Sequence, residues 1–151
     1  MNMTLSEPAY WIELEANAPW FTDPLLGELL LAQIDIHRRH GDFLLHAFVL
    51  LPHTWQAIVT PRGSIQTLLQ TLRRTTSKRL NPHLEHELRW KGRIKSPIQD
   101  AWELLLLCGE IHLLPVRAGL VEDPEAYPFS SLVTLDVDEP PFGLTAEEAV
   151  G

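Results

Sequence analysis

Cysteine is almost absent from this chain. Cys108 stands alone among 151 residues, which excludes an internal disulfide and suits a reducing compartment. Tyrosine is nearly as scarce, with only Tyr10 and Tyr127. No apolar run approaches the ~20 residues that a membrane-crossing helix needs. Residues 1–7 have neither the basic start nor the apolar core of a secretory leader, so a soluble cytoplasmic protein without membrane contact is expected. No internal repeat is visible. Basic residues are in deficit too: 12 Lys and Arg face 20 Asp and Glu, for a net charge of −8. Taken as a uniform sphere, that balance disfavours nucleic acid.

What is present is enough for one folded domain. A 45% hydrophobic, 21% charged chain of this length can bury a proper core. Cys108 follows Leu104-Leu105-Leu106-Leu107 and is expected to be a buried, inert thiol. The charge deficit is uneven. Eight of the twelve cations lie between Arg73 and Lys95 with only Glu85 and Glu87 for company, a local +6. Residues 1–72 carry −4 and residues 96–151 carry −10. A basic patch therefore sits on an acidic body.

Periodicity sets out the elements. Ala9 to Glu15 alternates apolar and polar residues and predicts a strand. Thr22 or Asp23 caps a predicted helix to about Arg39, with Gly41 as its breaker. Residues 43–50 and 54–60 predict a hairpin. Ser64 caps a second helix to about Arg79, ended by Asn81-Pro82-His83. An extended segment over 88–94 and a third helix from Asp100 through Leu113 follow. The order predicts an α+β, ferredoxin-like sandwich: an antiparallel sheet with helices mainly on one face. Residues 1–135 form the predicted domain, and residues 136–151 an acidic, proline-bearing, loosely ordered tail.

Two stretches name a family. Leu114-Pro115-Val116-Arg117-Ala118-Gly119-Leu120-Val121 is followed by Asp123-Pro124-Glu125-Ala126-Tyr127-Pro128-Phe129-Ser130-Ser131. Upstream, in matching order, come Tyr10-Trp11-Ile12-Glu13-Leu14, Trp20-Phe21, Phe48 to Gln56 around Pro52, and Trp90-Lys91-Gly92-Arg93. Together these resemble the REP-associated tyrosine transposases, a branch of the single-tyrosine HUH transposases (IS200-like). The resemblance covers residue 10 to about 132 and implies a ferredoxin-like fold that acts on single-stranded or hairpin DNA.

The resemblance also implies a site, and here the chain departs from it. The family holds a divalent metal such as Mg2+ or Mn2+ with two histidines one residue apart on a strand, which share a sheet face. A tyrosine nucleophile and an asparagine ligand lie four apart on a helix. With Pro52 as register mark, the two histidine positions are Thr54 and Gln56, the tyrosine position is Glu110 and the asparagine position is Leu114. Threonine and glutamine are weak neutral ligands, leucine is none, and a carboxylate beside a phosphodiester repels it. The resemblance thus implies a degenerate member: no strand cleavage, no cofactor and no metal site. Tyr10 and Tyr127 lie off the nucleophile helix and cannot stand in.

The remaining functional candidate is the basic segment. Arg73, Arg74, Lys78 and Arg79, with Arg89, Lys91, Arg93 and Lys95, would line a nucleic-acid groove, and Trp90 would stack on an unpaired base. The alternative is a solvated charged face with Trp90 in the core. Three functions follow: an inactive transposase-like DNA binder, an acidic scaffold or dimeric interaction protein without nucleic acid, and a divergent metal-dependent nuclease using Glu110. A ligand cluster of His53, Gln56, Glu110 and His112 is disfavoured by strand and helix periodicity. The other histidines, His37, His40, His46, His83 and His86, are expected at the surface or core edge. Monomer and homodimer both remain open.

Overall fold

A computed structural model describes residues 4–134 and 137–139. Four strands, β1 (Thr4–Ala16), β2 (Phe43–Leu50), β3 (Thr54–Pro61) and β4 (Trp90–Asp100), form one antiparallel sheet in the order β2-β3-β1-β4. That is the order in which two split βαβ units interleave, as predicted. The helices are α1 (Pro24–Arg39), α2 (Ile65–Leu80) and α3 (Ala101–Arg117).

Strand alternation gives the sheet two buried faces. Ile12, Leu14, Trp55, Ala57, Val59, Phe48 and Leu50 pack with Leu30, Ile34, Leu68 and Leu72 of α1 and α2. On the other face Ala9, Ala47, Val49, Ile58 and Ile98 meet Leu104 and Ile111 of α3. Two of the three long helices share one face and the third covers part of the other. That leaves the part of the second face around Glu13, Glu15, Lys91 and Arg93 to polar side chains.

Caps end the elements where the sequence predicts. Asp23 accepts from Leu25 N, Ser64 from Thr67 N and Asp100 from Trp102 N and Glu103 N. Gly41 and Gly119, at φ of 80° and 75°, occupy the left-handed position after α1 and α3. At each, the glycine N–H and the next N–H bond back to carbonyls of the final turn (Gly41 to Arg38, Asp42 to His37; Gly119 to Val116, Leu120 to Pro115).

Three boundaries differ from expectation. β1 begins at Thr4, because its pairing with β4 continues past an irregular stretch (Ala9 with Ile98, Thr4 with Asp100) and Leu5 and Ala9 are buried in the second core. β4 begins at Trp90 and runs to Asp100, since its partner β1 is longer than expected. α3 continues to Arg117 with a buried Pro115 inside it. Having no N–H, Pro115 cannot bond back to Ile111, so the last turn of the helix gives up one bond. Of the predicted tail, residues 136 and 140–151 lie outside the described residues, as does residue 135 before it. The piece 137–139 is held on β2, where the Asp138 carboxylate accepts from Arg38 Nε (2.9 Å), Arg38 Nη2 (3.0 Å) and Leu45 N (2.9 Å).

Candidate functional site: a rebuilt pocket and a basic strand edge

The two strand positions of the implied metal site do share the second sheet face, as alternation requires. Both Thr54 and Gln56 are buried there, opposite Glu15 and Glu13 of β1. Gln56 Oε1 accepts from Trp11 Nε1 at 3.0 Å and from Lys95 Nζ at 3.4 Å. The Lys95 ammonium also lies 4.9 Å over the Trp11 ring. Thr54 Oγ1 is buried without a hydrogen-bond partner among the described residues. The two helix positions are used differently. Leu114 packs against the second core with Trp11, Leu51 and Tyr127. Glu110 is half-exposed and tied to Arg117 at 2.5 Å, one heptad along the same helix.

This donor set does not fit a divalent metal. Gln56 already accepts two hydrogen bonds, one from an ammonium that would repel a cation, and Leu114 offers no lone pair. Among the described residues, no group of three or more His, Cys, Asp or Glu is placed to hold a metal ion. His53 is exposed and outside β3, so it joins no cluster with Gln56.

His112 is occupied elsewhere, bonded to Ser131 Oγ at 2.7 Å, and burial lowers its pKa. His46, expected near the surface, is instead buried between Thr60 Oγ1 (2.8 Å) and the Asp138 carbonyl (2.9 Å). Burial outweighs the raising influence of Asp138 and lowers its pKa as well.

The C-terminal signature works as a clasp on β2. Asp123 caps a short 3-10 helix, Pro124–Ala126, and Tyr127 O–H then donates to the Leu50 carbonyl. Leu50 N donates to the Phe129 carbonyl at 2.9 Å, and Phe48 N to Ser131 Oγ at 2.9 Å. The segment thereby covers the free edge of β2. Phe129 also explains Gly27: a Cβ there would come within 3.2 Å of its ring. Sequence reasoning had no signal for this pairing, because it joins residues about 80 apart.

The basic segment is not one groove. β4 is an edge strand, and its alternation divides the cations. The missing Cβ of Gly92 would point at Arg73 Cδ (3.3 Å) and Leu14, on the α1/α2 face. Lys91 and Arg93 therefore point to the opposite face, where Arg93 pairs with buried Glu13 at 2.6 Å and with Glu15 at 3.6 Å. Lys95 bulges toward Trp11 and Gln56 on that same face. The Arg89 guanidinium lies 3.9 Å from the Glu87 carboxylate.

The side chains of Arg74, Lys78, Arg79 and Lys91 are exposed and make no hydrogen bond or ion pair among the described residues. Trp90 is partly buried and packs against the first core. Its ring stacks on Phe21 (5.8 Å between centroids, 10° between planes) and its N–H donates to Thr76 Oγ1 at 2.9 Å. As a free platform for a base, the indole is already taken on one face. Around the β4 edge, Arg73, Lys91 and Arg93 nevertheless converge with Glu15, Trp90 and Gly92 on an open pocket of about 610 Å³.

The sheet order, the hairpin between α1 and α2, and the helix crossing the second face define a ferredoxin-like α+β fold. A solved structure of a REP-associated tyrosine transposase bound to a REP hairpin shares it, with a TM-score of 0.66 over 96% of this chain and 90% of that one. Identity is 15%, so the likeness is one of fold. No family model and no curated protein matches the chain. Among the described residues, no helix is long and apolar enough to cross a membrane.

Proposed function

We propose that this chain is a catalytically inactive, transposase-like protein that binds single-stranded or hairpin DNA around the β4 edge. The observation that carries the reading is the convergence of Arg73, Lys91 and Arg93 on one open pocket, where Arg93 is held by Glu13 and Glu15 while Lys91 has no ion pair among the described residues. Three cations reaching one edge from two sheet faces suit a phosphate backbone that passes over the strand. The solved neighbour is bound to a REP hairpin, which agrees with that class of partner. Inactivity is supported by Leu114 in the second core, Glu110 tied to Arg117, and Lys95 beside Gln56.

A salt titration of binding to a hairpin, a single strand and a matched duplex tests the binding. With three phosphates engaged, the slope of log affinity against log salt should be about −2, taking ~0.7 per contact for a single strand. Lys91→Glu, at an exposed and unpaired position, should weaken binding about tenfold or more in low salt and make the slope shallower. No detectable binding to any of the three in low salt refutes the reading. Strand cleavage on adding Mg2+ or Mn2+ refutes the inactivity.

A further inference from the structure

Helix α3 carries a second surface, unrelated to the basic edge. Trp102 (62% exposed), Leu105 (54%), Leu106 (72%) and Leu113 (38%) are large apolar side chains open to water. With Gly109 they recur at helical spacing on the face turned away from Leu104 and Ile111, which are buried. The exposed portions amount to a patch on the order of 500 Å², near the top of the ~300–600 Å² range for the largest patch of a typical monomer.

We infer that this face is the contact of a symmetric homodimer, two α3 helices crossing antiparallel. The stripe is complementary to itself. Leu106 is its most exposed knob, and Gly109 is its gap, with nothing within 4 Å of where a Cβ would stand. A two-fold axis between residues 107 and 108 seats Leu106 of each copy over Gly109 of the other. That same axis brings Trp102 opposite Leu113, so one operation matches both pairs. Antiparallel crossing also opposes the two helix dipoles.

Charge does not forbid it. The chain carries −8 overall, yet Glu110 on the flank of the stripe is neutralised by Arg117. Doubled by symmetry, the patch supplies on the order of 1,000 Å² of apolar surface, the size a specific interface must reach.

Light scattering over a dilution series from about 100 µM tests the inference, affinities in the micromolar range being within its reach. The wild-type chain should show dimer mass at the top of the series, and high salt should leave it dimeric, unlike DNA binding. Leu106→Glu should give a monomer with unchanged circular dichroism. Gly109→Leu fills the gap without touching the core and should weaken the dimer at least tenfold. A wild-type monomer at the highest concentration overturns the inference, as does a dimer equally tight in both variants.

Discussion

At the scale of the residue, exposure and partners separate side chains that look alike in sequence. Trp90 and Lys91 are neighbours in one basic segment, but only Lys91 faces water alone. Trp90→Ala should cost about 3–5 kcal/mol in denaturant unfolding, whereas Lys91→Ala should stay within about 0.5 kcal/mol. Equal effects would put Trp90 outside the core. Cys108 follows the same logic. Burial pushes its thiol up to about 11, so almost no thiolate exists at neutral pH. A thiol reagent at neutral pH should react with it at an appreciable rate only after denaturation; rapid labelling of the folded chain would show an accessible thiolate.

Among the elements, the free edge of β2 is the place where the fold is closed. Ser131 Oγ accepts from Phe48 N and contacts His112, and Tyr127 holds the Leu50 carbonyl. Ser131→Ala leaves a buried N–H unsatisfied and should cost about 1–3 kcal/mol, while Tyr127→Phe should cost about 1. Hydrogen exchange at Phe48 and Leu50 gives the sharper readout: both amides should lose protection in Ser131→Ala before those of β3 do. Unchanged protection would mean that the clasp does not hold the strand.

For the whole molecule, acid should act in two stages. Burial lowers the folded pKa of His46 and of His112 below 6.5, so the unfolded chain takes up those protons first. Their contribution is complete above 6.5 and is lost as the pH falls from there. Burial of Asp138 would raise its carboxyl, but the bonds from Arg38 and Leu45 N outweigh that and hold it below 3.8. That contribution is present above 3.8 and disappears as the pH falls through the folded value. Denaturant midpoints should therefore decline between about pH 7 and pH 5, and His112→Gln should flatten the decline. A flat wild-type profile over that interval contradicts the two buried histidines.

Much of the fold was legible from local chemistry. Asp23, Ser64, Asp100 and Gly41 act within a few residues of themselves, so composition and periodicity were enough to place the helices. Alternation along β3 was enough to put Thr54 and Gln56 on one face and Trp55 on the other. The substitutions at Thr54, Gln56, Glu110 and Leu114 were likewise readable, given the resemblance.

What needed tertiary structure was every contact made across the sheet. The bonds of Gln56 to Trp11 and Lys95, the burial of His46 by Asp138 and the stacking of Trp90 on Phe21 each join distant segments. That the basic segment lies along a sheet edge depended on the strand order, which local pattern does not encode. The apolar stripe of α3 is the plainest case. Leu104-Leu105-Leu106-Leu107 reads as core throughout, and only packing on the second face decides that Leu104 is buried while Leu105 and Leu106 face water.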